Sequence, residues 1–240
     1  MSIYVCGDTH SNIDLEKLTS KKFPEGKKLT KKDFLIILGD FGLVWAATST
    51  RKENYYLNWI NEKPWTTLVI PGNHENYDRL FSDEFPTIDF GGSTVRKIRN
   101  SIYLLNRGDI YTIENKTIFT IGGGLSIDKS RREEYISWWR QEMPSMNEYW
   151  RGLEAMKQKD FNVDYILTHS CSHSTFKKLQ SMFDMNHKVD EGEKPLRDYL
   201  EWIEQDSDYK EWHFGHFHID SRIDDRHWCH YNESPQKLGN

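Results

Sequence analysis

The chain has few cysteines and no long apolar segment. Cys6, Cys171 and Cys229 are the three cysteines among 240 residues, and none lies in a C-x-x-C pair. This spacing excludes a disulfide scaffold or a cysteine-based zinc site and indicates reduced thiols. No apolar run approaches the roughly 20 residues that span a bilayer, and the N-terminus carries no secretory signal pattern. We therefore predict a cytoplasmic protein with no membrane partner.

The sequence also lacks an excess of positive charge. Thirty-two Lys and Arg residues stand against 37 Asp and Glu residues, which gives a formal net charge of −5. This balance is not the footprint of a basic nucleic-acid-binding domain. It does not exclude a nucleotide or a short oligonucleotide as a ligand that is bound through metal ions. The length predicts one domain over residues 1–240, with two smaller domains as the alternative.

Short apolar runs alternate with helical patterns in the first part of the chain. Because these runs are continuously apolar, they are typical of strands covered on both faces. They are Ile3–Cys6, Phe34–Leu38, Thr67–Ile70 and Val163–Leu167. Helical periodicity is found at Asn12–Leu18, Arg51–Ile60 and Asn76–Phe81. The alternation predicts an α/β fold.

The middle of the chain has a different pattern. Ser93–Gly124 alternates apolar and polar residues between turn signals, which predicts two or three antiparallel strands and hence mixed sheets. Further helices are predicted at Glu133–Trp139, Met146–Lys157 and Pro195–Trp202, and two closing strands follow them.

Polar clusters follow five of the predicted strands. Because ligand sites of α/β sheets lie at the carboxyl ends of strands, we expect these clusters to converge. Carboxylate and amide oxygens together with imidazoles, without a thiolate, suit Mn²⁺, iron or Zn²⁺. Seven ligands are too many for one ion and suit two ions that share a carboxylate. The candidates are Asp8, His10, Asp40, Asn73, His169, His216 and His218.

Each cluster alone is typical of an ordinary turn, but their order carries more information. The blocks read D-x-H at Asp8, GD at Asp40, GNHE at Asn73, a lone His169, and GHxH at His216. In this order the sequence resembles the calcineurin-like metallophosphoesterase superfamily, and the resemblance spans nearly the whole chain. It implies a four-layer α/β/β/α sandwich and hydrolysis of phosphate esters by a hydroxide between two divalent ions.

The resemblance also implies individual roles. Asp8, His10 and His218 would hold one metal, and Asn73, His169 and His216 the other, with Asp40 bridging. His74 would contact phosphate and protonate the leaving group, and Glu75 would orient its ring. Mn²⁺ is the favoured ion, with iron or zinc as alternatives. The implied partner is a phosphorylated small molecule, a nucleotide or a nucleic acid, and the sequence identifies no obligate protein partner and no oligomeric state.

Two departures from the family pattern bear on the substrate. Ser11 replaces the usual glycine after D-x-H, and "GDFGLVW" after Leu38 lacks the D-R-G continuation of the protein phosphatases. Because the arginine of that block grips a monoester phosphate, its absence favours phosphodiesters of nucleotides or nucleic acids. A phosphomonoesterase, and a scaffold that binds metal without turnover, remain as alternatives.

The segment Gly122–Glu142 is the candidate for substrate specificity. Lys129, Arg131 and Arg132 would bind substrate together with Asn73 and His74, and Trp138 and Trp139 would stack on bases. The alternative is a solvated turn with both tryptophans in the core.

Overall fold

The computed structural model describes residues 1–185 and 191–239. Within these residues the strands form two mixed sheets. The strands are β1 (Ile3–Cys6), β2 (Phe34–Ile37), β3 (Thr66–Val69), β4 (Thr87–Phe90), β5 (Ser93–Arg99), β6 (Ile102–Leu105), β7 (Asp109–Ile113), β8 (Lys116–Ile121), β9 (Tyr165–Thr168), β10 (Glu211–Phe214), β11 (Ser221–Arg222), β12 (His227–Cys229) and β13 (Gln236–Lys237).

The first sheet has the order β13-β1-β2-β3-β6-β5-β4. Strands β1, β2, β3 and β6 are parallel, and β4, β5 and β13 pair antiparallel at the two edges. The second sheet has the order β11-β12-β10-β9-β8-β7. Its strands β8, β9, β10 and β12 are parallel, with β7 and β11 antiparallel at its edges. Both sheets therefore present a row of parallel strand ends.

Helices cover the outer face of each sheet. They are α1 (Arg51–Asn61), α2 (Tyr77–Leu80), α3 (Met146–Lys157), α4 (His173–Phe183) and α5 (Lys194–Asp206). Leu57 and Ile60 of α1 belong to one apolar cluster with the outer face of β2. Leu200 and Ile203 of α5 pack in another cluster with Phe214 of β10. None of the helices in the described part of the chain is long and apolar enough to cross a membrane.

A third apolar cluster fills the space between the sheets. Val5, Ile36 and Leu68 come from the first sheet, and Ile118 and Leu167 come from the second, all fully or almost fully buried. Burying one such side chain contributes about 1.5–3 kcal/mol, so this layer holds the sheets face to face. The three clusters together confirm the predicted mixed α/β fold and its α/β/β/α layers.

The structure corrects several predicted elements. Asn12–Leu18 is not an α-helix, since only Leu15–Leu18 forms a short 3₁₀ turn. Glu133–Trp139 is also not helical: Tyr135 has a φ of 64°, and its N–H donates to Trp138 O at 2.8 Å. The middle segment contributes four strands rather than two or three, because β5 and β6 pair in the first sheet and β7 and β8 in the second. Helix α4 was not predicted.

Other elements match the sequence pattern closely. The four predicted central strands agree with β1, β2, β3 and β9 within two residues. Helix α3 has the predicted bounds because Ser145 and Glu148 form a capping box at its N-terminus. The side chain of each accepts the other's backbone N–H, which satisfies two donors that the first turn leaves free.

A buried arginine joins helices α1 and α2 near the strand ends. Arg79 donates to both carboxylate oxygens of Glu53 at 2.8 Å and to Glu84 at 2.6 and 2.9 Å. It also donates to Ala46 O at 2.9 Å, so it fixes the loop that follows β2. The Arg79 and Glu53 side chains are 8 % and 4 % exposed, which makes this an interior ion pair.

Arg79→Met is therefore expected to destabilise the protein by about 3–5 kcal/mol, because it leaves Glu53 charged, buried and unpaired. The measurement is the free energy of unfolding in urea. Arg222→Met is the control, because the Arg222–Asp225 pair is 57 % and 100 % exposed and should contribute less than about 1 kcal/mol. Equal effects of the two substitutions would contradict this account.

Candidate metal centre

Five loops that follow parallel strands lie together where the two sheets meet. Those after β1, β2 and β3 come from neighbouring strands of the first sheet, and those after β9 and β10 from neighbours in the second. His10 N donates to Asp40 O at 2.8 Å within the first group, and Gly215 N donates to His169 O at 3.0 Å within the second. His169 Nδ1 donates to Leu38 O at 2.7 Å and so joins the sheets.

Two buried aspartates occupy the centre of these loops. Asp8 is 0 % exposed and Asp40 is 1 % exposed. The backbone N–H of His216 donates to Asp8 Oδ1 at 3.1 Å, and that of His74 donates to Asp40 Oδ1 at 2.8 Å. Within residues 1–185 and 191–239, the ion-pair partners of both carboxylates are histidines, not Arg or Lys. Such burial is costly unless a cation compensates it.

Hydrogen bonds fix the tautomer of two histidines. Because a carbonyl only accepts, His169 Nδ1 carries the proton that Leu38 O receives. His10 Nδ1 lies 2.7 Å from Asp14 Oδ2 in the same way. A protonated ring donates from Nε2 to the oxygen it faces, whereas in a neutral ring Nε2 is an acceptor that faces another acceptor. His169 Nε2 lies 3.0 Å from Asn73 Oδ1, and His10 Nε2 lies 3.3 Å from Asp40 Oδ2. A cation between these atoms would take the place of the proton and allow both rings to be neutral.

The four residues Asp8, His10, Asp40 and His218 fit one cation directly. Each offers one ligand atom, and these atoms all lie within 4.8 Å of one another. This is the predicted first group together with the predicted bridge. His218 Nε2 lies 3.4 Å from Asp8 Oδ2, and the half-exposed ring stacks on Tyr231 with a centroid separation of 4.5 Å.

The second predicted group is also brought together. Asn73 Nδ2 donates to Ser126 Oγ at 3.1 Å, which turns its oxygen toward His169. The rings of His169 and His216 meet edge to face at 4.8 Å. A Cβ placed on Gly124 would lie 3.1 Å from His216 Nδ1 and 3.2 Å from Asn73 Oδ1, so those two atoms border the same space. Oxygen and imidazole donors of this kind suit Mn²⁺, iron or Zn²⁺.

The pKa values of Asp40, His10 and His169 are shifted toward the charged forms, whereas burial raises the pKa of Asp8. Burial opposes ionisation of Asp40, but the neighbouring His169 and His10 outweigh it and hold the pKa of Asp40 well below its usual range. Burial favours the neutral form of His10 and His169, but Asp40 raises the pKa of His10 to about 9 and that of His169 to about 10. Ligation requires neutral imidazoles, so metal binding by this set would release protons.

Several non-glycine residues at the centre have a left-handed backbone conformation, which residues with a Cβ rarely adopt. Left-handed φ angles in non-glycine residues cost of order 1–3 kcal/mol each and cluster at functional sites. Ser11 is one of them, and this conformation explains why glycine suits its position in the family pattern. The residues are His10 (42°), Ser11 (61°), Asp40 (48°), His216 (71°) and His218 (54°).

Two glycines allow the loops to approach this closely. Gly39 has a φ of 102°, and a Cβ on it would lie 2.0 Å from His169 Nδ1. A Cβ on Gly215 would lie 2.2 Å from Asp8 Oδ1. Any larger residue at either position would push a ligand ring or a carboxylate out of the centre.

His74 lies beside the centre with a fixed tautomer. Arg132 Nη1 lies 3.1 Å from His74 Nδ1, and a guanidinium can only donate. His74 Nδ1 therefore accepts, and the proton of the neutral ring is on Nε2, which lies 3.9 Å from Asp40 Oδ2. Burial lowers the pKa of His74, and Arg132 adds to this against the opposing effect of Asp40. The ring is thus a neutral donor that faces the centre.

Glu75 occupies a different position from the one expected. Instead of orienting the ring of His74, its buried carboxylate accepts Phe41 N at 2.7 Å and Gly42 N at 3.2 Å. Burial, with a contribution from Asp40, raises its pKa to about 8 despite these backbone bonds. Glu75 therefore supports the loop that carries Asp40.

The segment Gly122–Glu142 contributes one of its three predicted basic residues to the cleft. Arg132 lines both cavities beside the centre and forms an ion pair with Asp128 at 2.7 Å. Lys129 and Arg131 are exposed and are not among the described residues that line either cavity. Trp139 is 2 % exposed and donates to Asp78 at 3.0 Å, so it belongs to the core rather than to a base-stacking surface.

Several residues at the site carry no motif in the sequence. Asp14 binds His10, and the buried Lys17 donates to Asp8 O and Tyr231 O. Asp14 lies four residues after His10, a spacing that sequence reasoning could have used. The contact of Lys17 with Tyr231 joins distant parts of the chain, and no local pattern indicates it.

Glu193 is a further unpredicted residue. It is 4 % exposed, and its Oε1 lies 3.4 Å from His216 Nε2, while its Oε2 pairs with Arg197 Nη2 at 3.0 Å. The negative charge of Glu193 beside Nε2 favours the tautomer of His216 that carries its proton there, so that Nδ1 is the atom that faces Asn73. Carboxylates of this kind orient metal-ligating histidines and strengthen their binding.

Glu193→Gln is expected to weaken binding of Mn²⁺ by about 10- to 100-fold, because the amide is a poorer partner for the ring of His216. Calorimetric titration of the apoprotein with Mn²⁺ measures this. The matched control is Glu191→Gln, since Glu191 is exposed in the same short turn and should leave the affinity unchanged. Unchanged affinity in the Glu193 variant would refute the assignment.

Comparison with known proteins agrees with the motifs and with the geometry of the centre. A search of curated proteins returned no match. The model of the calcineurin-like phosphoesterase family matches residues 1–220. This match covers most of the chain and includes every residue of the candidate centre. The family hydrolyses phosphate esters with divalent metal ions, so the chain is a metal-dependent phosphoesterase and belongs to the calcineurin-like phosphoesterase family.

Proposed function

We propose that this enzyme hydrolyses phosphodiesters of nucleotides or nucleic acids. The observation that carries the proposal is a cleft with two arms. One cavity of about 670 Å³ and another of about 370 Å³ share His74, Arg132 and His218 as lining residues. A phosphodiester carries an organic group on two of its oxygens, whereas a monoester carries one. Two arms that meet beside the metal centre suit the diester.

The charge at the meeting point supports the same choice. Arg132 lines both arms, so its guanidinium would pair with the single negative charge of a bound diester. It is held by Asp128 and by Ser137 O at 3.1 Å, which keeps it in place without substrate. This arrangement differs from an arginine directed only at a terminal phosphate.

We assign the ligands as the family resemblance implies. Asp8, His10 and His218 would hold one ion, and a second set would hold the other. Bound divalent cations supply an activated water near neutral pH and neutralise charge on the phosphate oxygens. Mn²⁺ is the proposed ion. The set that would hold the second ion is Asn73, His169 and His216, and Asp40 would be shared between the two ligand sets.

His74 is the proposed hydrogen-bond donor to the departing oxygen. Its Nε2–H faces the centre because Arg132 occupies Nδ1, so the neutral ring can stabilise the negative charge that develops on the oxygen of the departing alcohol. The ring keeps its proton, because losing it would leave an imidazolate, and the departing alkoxide takes its proton from solvent. Glu75 acts indirectly, by holding the backbone next to Asp40 through Phe41 and Gly42.

We expect the purified protein to bind about two Mn²⁺ per chain and to hydrolyse bis(p-nitrophenyl) phosphate faster than p-nitrophenyl phosphate. Metal analysis and release of p-nitrophenolate measure the two quantities. Asp40→Asn should abolish hydrolysis, because it removes the shared ligand charge. Less than one ion per chain, or full activity of this variant, would refute the mechanism. Faster turnover of the monoester would refute only the diester preference.

His74→Ala should reduce kcat by about 10²- to 10³-fold on a dinucleotide, while the metal content stays the same. The loss should be much smaller on bis(p-nitrophenyl) phosphate, because p-nitrophenolate is a stable anion that needs little stabilisation by a hydrogen bond. Parallel kinetics on the two substrates test this difference. An equal loss on both would show that His74 does not act on the departing oxygen.

A further inference from the structure

The larger arm of the cleft has an aromatic and apolar wall. Its lining includes Ile13, Leu43, Trp45, Ala46 and Tyr231, and its volume of about 670 Å³ is enough for a nucleoside-sized group. The smaller arm combines Phe176 and Phe217 with the charged side chains of Asp128, Glu193 and Arg197. Within the described residues, the larger arm differs from it in that an indole, that of Trp45, lines it.

Trp45 is held firmly at the inner end of this wall. Asn76 Nδ2 donates to Trp45 O at 2.8 Å and to Ala46 O at 3.3 Å. The Trp45 indole meets Trp139 edge to face, with 5.3 Å between ring centroids. Trp139 is itself fixed by its bond to Asp78. A rigid aromatic side chain loses little conformational entropy when a ligand binds.

The position of this indole relates it to the reaction. The Trp45 and His74 ring centroids lie 6.3 Å apart with 33° between the planes. A substituent on the ester oxygen that His74 contacts would therefore lie beside the indole of Trp45. Tyr231 borders the same arm and is stacked on His218, so a second aromatic ring contributes to its lining.

From these observations we infer that the larger arm binds a planar aromatic substituent of the diester, such as a nucleobase, by stacking on Trp45. The inference rests on the proposed phosphodiester hydrolysis and adds the identity of one substituent. Aromatic stacking is sequence-tolerant and favours planar rings over saturated groups of the same size. Thr50 and Lys52 at the outer part of the arm would meet the polar edges of such a group.

The test compares phenylphosphonate with cyclohexylphosphonate, which share a phosphonate group and differ in ring planarity. Calorimetry on the Mn²⁺-loaded protein should show about 3- to 10-fold tighter binding of phenylphosphonate. Trp45→Leu should weaken phenylphosphonate binding about 10-fold and remove the preference. Trp45→Phe, which retains a planar ring, should keep most of it. Trp150→Leu is the control, since Trp150 is 58 % exposed on α3, away from the cleft.

Hydrolysis of bis(p-nitrophenyl) phosphate, measured on the same preparations, separates two kinds of failure. An active wild-type enzyme that binds both phosphonates equally would overturn the aromatic subsite and leave the proposed function standing. Equal losses of affinity for phenylphosphonate and cyclohexylphosphonate in Trp45→Leu would also overturn the aromatic subsite, because Trp45 would then not distinguish a planar ring from a saturated one. A wild-type protein that neither hydrolyses the diester nor binds either phosphonate would overturn the proposed function and the subsite with it.

Discussion

The carboxylates of Asp8 and Asp40 are buried at the junction of two sheets, and in the part of the chain that the structure describes their ion-pair partners are histidines. Burying two negative charges without a fixed counter-charge is among the most expensive arrangements in a protein. The raised pKa values of His10 and His169 express the same demand for positive charge. Divalent cations would supply this positive charge, and the loops that follow the strands carry the side chains that would bind them.

This demand explains local features that are unfavourable by themselves. Asp40 and His216 have left-handed backbones, and Gly39 and Gly215 leave no room for a Cβ. Their cost is offset by the apolar layer between the sheets, which includes residues just before the site loops, such as Leu38 and Leu167, and so fixes the strand ends. Residues such as Glu75 and Glu193 then hold loops and rings in place, so that the groups facing the substrate are already oriented.

The sequence was most informative for site residues that lie close together in the chain. Each predicted ligand directly follows a strand, so its position was readable from a short motif, and the α/β/β/α layers followed from the family resemblance. Contacts across long sequence separations were not readable. Arg132 reaches His74 over 58 residues, and Glu193 reaches His216 through a tertiary contact. The helix predicted at Glu133–Trp139 was wrong because Tyr135 takes a left-handed φ and Trp139 is anchored on Asp78.

The two arms of the cleft extend from the metal centre. His74 and Arg132 lie where the arms meet, and Trp45 lines the larger arm. All of this depends on cations at the buried carboxylates. Anomalous diffraction at the manganese edge from Mn²⁺-soaked crystals tests that claim most directly. The account predicts two peaks, one among Asp8, His10 and His218 and one among Asn73, His169 and His216, with Asp40 between them. A single peak, or peaks away from these side chains, would contradict it.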